Sequence, residues 1–217
     1  MTDKDIPPAI RQDAATRAFA GAIALVAWIG LGLQYAGIRS HHDGAAEALW
    51  VFFRFFTNTT NLLIAIGFTA IAIGQWRPAS ARLLAGLTLA ILLVGIVYGL
   101  LLQGRVTSVG YAIPANMLLH KVTPLLVPAF WLCCARKGTL EPADPLWWAA
   151  YPFFYLFYAL ARGLAGDRYA YFFIDPTKQG WAGVATYVAL IALGFVLAGY
   201  ALFWADRGLA RSRSRTR

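Results

Sequence analysis

The 217-residue chain is 59% hydrophobic and 13% charged, with a formal net charge of +9. Soluble domains carry about 25% charged residues, so a water-surrounded fold is excluded and an integral membrane protein is expected. Spanning strands alternate apolar and polar residues; the apolar stretches here do not, so the expected fold class is all-α, a six-helix transmembrane bundle in a single domain.

In chain order, residues 1–17 (MTDKDIPPAIRQDAATR) read as a polar tail. It lacks the basic n-region of a signal peptide, and no cleavage site follows, so the first apolar stretch is expected to stay. Spans are expected at 18–38, 49–73, 83–103, 114–135, 145–161 and 180–205, each able to cross a ~30 Å core at ~1.5 Å per residue. The fifth is short and the second and sixth are long, which implies differing tilt.

Residues 206–217 form a basic tail. It reads as an anchor to anionic lipid rather than a nucleic-acid contact. The tails and the loops after spans two and four hold Lys4, Arg11, Arg17, Arg77, Arg82, Arg136, Lys137, Arg207, Arg211, Arg213, Arg215 and Arg217. The opposite loops hold only Arg39, Arg105, Arg162, Arg168 and Lys178. By the positive-inside rule both termini are expected in the cytoplasm, and the Ala- and Arg-rich composition points to a bacterial inner membrane. Adjacent Cys133 and Cys134 make neither a zinc site nor a disulfide framework.

Local signals mark the helix ends and contacts. Asp144 before Pro145, and Asp175 before Pro176, read as N-caps. Trp147, Trp148 and Trp181 fit an aromatic belt. Gly95 and Gly99 in "GIVYG" allow close helix contact. Pro124 leaves the carbonyl of His120, four residues earlier, without its N–H partner, so a kink is expected there; Pro128 and Pro152 also interrupt helices.

The span "FFRFFTNTTNLLIAIGF" carries polar residues where hydrocarbon makes them costly. On a continuous helix Arg54, Thr57, Asn58 and Asn61 share a face. Asn116, His120 and Thr123 do so in span four, and Tyr151, Tyr155, Tyr158 and Arg162 in span five. Counting residues from the span ends puts Thr57, His120 and Tyr155 at one depth in the outer half of the membrane. Each has a bland reading: a membrane Thr bonds the carbonyl three or four residues back, Asn58 and Asn61 tie helices together, Arg54 and Lys121 snorkel, and Asp175 caps a helix. His120 is the one histidine within a span, and ionisable residues there are functional by default. Bis-histidine haem needs two such residues, and the loop pair His41 and His42 lacks a third ligand, so no cofactor and no metal is expected.

The order of "RFFTNTTN", "LHKVTP", "YPFFYLFYALARG" and "YFFIDPTKQG" resembles the androgen-induced-gene membrane protein family, which includes the androgen-dependent regulator of tissue factor pathway inhibitor and bacterial six-span relatives. The resemblance covers spans two to six. It implies an atypical threonine hydrolase of lipid esters, fatty acid esters of hydroxy fatty acids or similar, with Thr57 and His120 on the catalytic positions. Phe130 stands where bacterial relatives often carry Asp.

On that implication Thr57 attacks an ester carbonyl and His120 acts as base. Asn116, Tyr155 or a backbone carbonyl would orient the imidazole. Helix N–H groups are expected to be spent on their own ladder, so Asn58, Asn61 and Arg54 are the expected oxyanion donors. Arg162, Tyr158, Tyr98 and Asp175 are expected to bind substrate, with membrane lipids and a lipophilic ester as the partners. The competing expectation is a non-catalytic lipid or small-molecule carrier using the same polar pocket.

Overall fold

The computed structural model describes residues 10, 13–75, 80–105 and 109–215, with side chains to 212. The expectations for the tail before residue 10, for Arg11 and Arg77, and for the side chains of 213–217 lie outside the described residues.

Eight α-helices are present among them: α1 Ala14–Arg39, α2 Ala45–Phe52, α3 Phe56–Ala72, α4 Ala81–Val97, α5 Ala112–Met117, α6 Thr123–Cys134, α7 Asp144–Leu164 and α8 Pro176–Arg215. Wide π-type turns, Tyr98–Leu102 and Leu118–Val122, extend α4 and join α5 to α6. Among the described residues the fold is all-helical, apart from an isolated bridge between Ile10 and Ala135.

The helix starts follow from side-chain chemistry. Asp13 accepts the Thr16 N–H at 2.7 Å, and Ser80 accepts that of Leu83 at 3.1 Å, each replacing a bond that the first helical turn cannot make for itself. Asp175 accepts from both the N–H and the hydroxyl of Thr177, so the cap reading of Asp175 holds at the start of α8. Asp144 is different: it lies inside α7 and instead accepts the Glu141 N–H at 2.8 Å and pairs with Arg82. The α8 axis is broken at Gly180, whose φ of +64° suits a residue without Cβ. Beyond residue 205 the expected tail continues α8 as helix to Arg215.

Four of the helical stretches are long and apolar enough to cross a membrane: Ala14–Arg39, Ala81–Leu102, Ala112–Cys134 and Pro176–Ser212. A fifth is formed if α2 and α3, bent by 94°, count as one broken span. The unbroken second span is thus corrected. The backbone leaves the helix at Phe53–Phe55 and restarts at Phe56, so Arg54 is not on the α3 face that carries Thr57, Asn58 and Asn61. α7 has 21 residues but is rich in Trp, Tyr and Pro, which score low in hydropathy.

Contacts sort the loops into two ends. At one end Arg17 Nε donates to the Ala72 carbonyl, and buried Asp206 accepts the N–H groups of Gly138, Thr139 and Leu140 at 2.7, 3.1 and 3.3 Å. Trp148, expected in an interfacial belt, is buried here and donates to the Arg82 carbonyl; Trp147 and Trp181 are exposed. At the other end Arg54 and Arg162 meet on Asp167.

The core between them is aromatic and aliphatic. Phe130 is fully buried against Phe68 (5.0 Å between ring centres) and Phe19 (5.4 Å). Phe130 thus fills an apolar site among rings from α1 and α3.

Close packing of α4 on α6 fixes the segment that bears His120. A Cβ on Gly95 would stand 2.9 Å from Pro124 Cβ and 3.6 Å from the His120 carbonyl. Gly99 has nothing within 4 Å of such a Cβ, so only the first of the two glycines makes the expected contact. Before Pro124 the backbone widens into the π-type turn Leu118–Val122, with the Thr123 hydroxyl 3.2 Å from both the Leu118 and Leu119 carbonyls. Gly95→Ala is expected to destabilise the protein by about 2 kcal/mol through overpacking, read as a lowered thermal transition in detergent.

Candidate active site

The break between α2 and α3 sets the local problem. It frees carbonyls at the end of α2 and N–H groups at the start of α3, and such groups are costly to leave unpaired within an apolar bundle. Side chains from α3, α7 and the 165–175 loop take their place. Asn58 Nδ2 donates to the Phe52 carbonyl at 2.8 Å. The Tyr158 hydroxyl donates to the Phe53 carbonyl at 3.2 Å and that of Tyr155 to the Arg54 carbonyl at 2.6 Å. Arg162 donates to the Trp50 carbonyl at 2.8 Å and lies 3.8 Å over the Trp50 ring. The Phe56 N–H donates to the Tyr171 hydroxyl at 3.0 Å.

Thr57 is the second residue of α3, and its hydroxyl escapes the usual fate of a helical threonine. Thr69, Thr88 and Thr186 each bond the carbonyl four residues back. The carbonyls three and four before Thr57 belong to Arg54 and Phe53, which lie in the break and are held by Tyr155 and Tyr158. Thr57 Oγ1 instead lies 3.1 Å from His120 Nε2. The two side chains that depth placed at one level therefore meet, although one comes from a helix start and the other from a π-type turn.

The base is held from several sides. Tyr98 packs its ring on the imidazole, 4.3 Å between centres and 30° from parallel. Asn61 Nδ2 donates to the Thr57 carbonyl at 2.9 Å and to the Leu119 carbonyl at 3.3 Å, while its Oδ1 accepts from Thr123 at 2.8 Å. Asn61 thereby ties α3 to the His120 segment at the level of the contact. His120 Nδ1 is buried without a partner at hydrogen-bond geometry, and the backbone carbonyl of Asn116 lies beside it. Of the expected orienting groups, the Asn116 backbone is near the imidazole, and Tyr155 is spent on the Arg54 carbonyl.

The far side of Thr57 faces a cavity of about 400 Å³ bounded by α4, α7, α8 and the start of α3. Its lining is apolar except for three hydroxyl-bearing residues, Thr57, Tyr155 and Tyr171. Tyr171 was missed in the sequence; its signal was an aromatic run, "YAYFF", in a short loop. Its hydroxyl is beside the hydroxyl and backbone of Thr57 and the hydroxyl of Tyr155.

Several expected roles change accordingly. The amides of Asn58 and Asn61 are committed to carbonyls; Arg54 Nη2 is bound to Asp167 at 2.6 Å, and although its Nε is buried without a partner, Arg54 does not line the cavity. The reason is the break itself: the carbonyls it frees at the end of α2 draw in polar side chains such as Asn58, and at the start of α3 the Phe56 N–H turns to Tyr171 while those of Asn58 and Thr59 bond the Phe55 carbonyl. Arg162 and Tyr158 hold backbone and Asp167, Asp175 caps α8, and Tyr98 covers the imidazole. None of the four lines the cavity.

Arg54 and Arg162 converge on one carboxylate that is mostly buried. Burial alone would raise Asp167; hydrogen bonds from Arg162 and the Arg168 N–H, with the charges of both arginines, outweigh it and hold the carboxyl below its usual range. A depressed folded-state value contributes stability fully above the unfolded carboxylate range, near pH ~4, and loses it as pH falls through the folded value. Asp167→Asn leaves two guanidiniums uncompensated and is expected to cost about 3 kcal/mol. In acid-titrated thermal melts the variant is expected to lack the wild-type decline below pH ~4.

Compared with known proteins, the chain matches no family model, no curated protein and no solved structure.

Proposed function

We propose that the chain is a membrane-embedded hydrolase of lipid esters with Thr57 as nucleophile and His120 as general base. The observation that supports it is the position of the Thr57 hydroxyl between an imidazole nitrogen at 3.1 Å and an apolar cavity. Nucleophile and base within hydrogen-bond reach, with room for substrate on the opposite side, is the arrangement acyl transfer requires.

Thr57 Oγ1 adds to the ester carbonyl carbon as His120 Nε2 takes its proton; the base then protonates the departing alkoxide. Water, activated by the same nitrogen, releases the acid. The cavity suits an acyl chain because it offers apolar walls and no charged group. The substrate class, fatty acid esters of hydroxy fatty acids or similar, rests on the resemblance to the androgen-induced-gene family, as does the identification with that family.

The membrane arrangement belongs to the same proposal. Counting the broken α2–α3 pair and α7 as crossings gives six spans, with both termini cytoplasmic and the Thr57 end in the outer half of a bacterial plasma membrane. α7 supports this with an outward face of Trp147, Phe153, Phe154 and Phe157, a surface suited to lipid. A reporter active only in the cytoplasm, fused after residue 217, is expected to be active.

Thr57→Ala and His120→Ala are each expected to lower hydrolysis of a medium-chain p-nitrophenyl ester by about 10³-fold or more. Both are also expected to abolish labelling of the purified protein by an alkyl fluorophosphonate. Equal labelling of wild type and both variants would remove the hydrolase reading and leave the cavity as a carrier's lipid-binding site.

A further inference from the structure

The mechanism above lacks a donor for the charge that develops on the ester carbonyl oxygen: the amides of Asn58 and Asn61 are spent on backbone carbonyls, and Arg54 pairs with Asp167 outside the cavity lining. Resting on the Thr57–His120 reading, we infer that the hydroxyl of Tyr171 is the oxyanion donor of this site, and hence a catalytic residue from the 165–175 loop.

Geometry carries this. Tyr171 lines the cavity together with Thr57, its hydroxyl close to that of Thr57, whereas His120, 3.1 Å from Thr57 Oγ1, is not part of that lining. Its oxygen accepts the Phe56 N–H at 3.0 Å, the first N–H of a 17-residue helix with no side-chain cap. That bond directs the positive end of α3 onto the phenol and makes its O–H a better donor by polarising it. The Tyr171 hydroxyl also lies close to the hydroxyls of Thr57 and Tyr155, which share the cavity lining with it, so an incoming ester carbonyl would meet the phenol there. Tyr155 cannot serve instead, because its proton is given to the Arg54 carbonyl at 2.6 Å. The Tyr171 ring is fixed by parallel stacking on Phe173, 5.1 Å between centres and 3° apart, and by an edge contact with Phe55. A donor held in place before reaction needs no rearrangement as charge forms.

In the step, Thr57 Oγ1 bonds to the carbonyl carbon and its proton moves to His120 Nε2. The carbonyl π pair moves onto oxygen, which accepts a hydrogen bond from Tyr171 without taking its proton. Collapse restores the C=O and breaks the bond to the alkoxy oxygen, which leaves with the proton held by His120. Tyr171 ends the step as it began.

The test uses the full-length protein in detergent, p-nitrophenyl octanoate as substrate and an alkyl trifluoromethyl ketone, whose adduct carries the same oxyanion. Tyr171→Phe is expected to lower kcat by about 10²–10³-fold, with KM changed by less than about threefold. Ketone inhibition is expected to weaken by a similar factor. Tyr151→Phe removes a hydroxyl that bonds Thr59 and Thr60, and whose ring also packs on Phe56; its kcat is expected to stay within about threefold.

An active wild type with Tyr171→Phe unchanged overturns the inference while sparing the hydrolase reading. So does a parallel fall of both Phe variants with matching losses in thermal stability. A wild type without Thr57-dependent hydrolysis overturns both readings. If Tyr171→Phe does not fold, difluorotyrosine at position 171 keeps the shape and changes the acidity of the hydroxyl. A donor then shifts kcat, and an unchanged kcat rules the role out.

Discussion

A helix broken inside an apolar bundle is the constraint on which the rest of the structure turns. Each backbone group freed at Phe53–Phe55 is costly to leave unpaired where water is scarce, and the fold answers with side chains from elements far away in sequence. Asn58 lies on the helix after the break; Tyr155, Tyr158 and Arg162 on α7; Tyr171 and Asp167 in the loop that follows. These bonds, rather than close backbone packing, fasten α7 to α3. Association of helices in lipid lacks a hydrophobic driving force and relies on such contacts, so the break serves as the attachment point for α7.

The same break explains why Thr57 differs from the other threonines. Oγ1 of a mid-helix threonine satisfies itself on a carbonyl one turn back, as Thr69 and Thr88 do. At the second position of α3 the preceding turn is absent and its carbonyls are occupied. The hydroxyl is left available to a group from outside the helix, and His120 meets it. Tyr98 covers the imidazole and Asn61 ties the backbone beside it to α3, while Thr57 also lines the cavity.

Much of this was legible in residue types and little of it in residue phase. The helical class and the apolar stretches follow from composition; depth counted along the spans puts Thr57, His120 and Tyr155 at one level, and the family resemblance singles out the first two as a pair. The break does not, because "FFRFFTNTTN" carries neither Pro nor Gly, the usual marks of an interrupted helix. Phe55 in the N-cap position makes no side-chain cap bond, so the start of α3 has no capping signature either. Once an unbroken helix is assumed, Asn58 and Asn61 look free and the backbone looks committed; the 94° bend reverses both. Tyr171 could not be found by counting depth within spans, since it reaches Thr57 from a loop.

On the proposed reading, the location of the site resolves a conflict between its two reactants. An acyl chain wants hydrocarbon, whereas deacylation needs water. A nucleophile at the middle of an unbroken span would be far from solvent, and one at the membrane surface would have no apolar wall to bind against. The restart of α3 places Thr57 at the end of the bundle that carries the Arg54–Asp167–Arg162 cluster, largely buried but with Arg54 and Asp167 reaching toward the surface, while the cavity runs from Thr57 between apolar faces of α4, α7 and α8. Apolar walls on one side and charge on the other let a single hydroxyl face both phases, and the arrangement depends on a helix that begins inside the bundle.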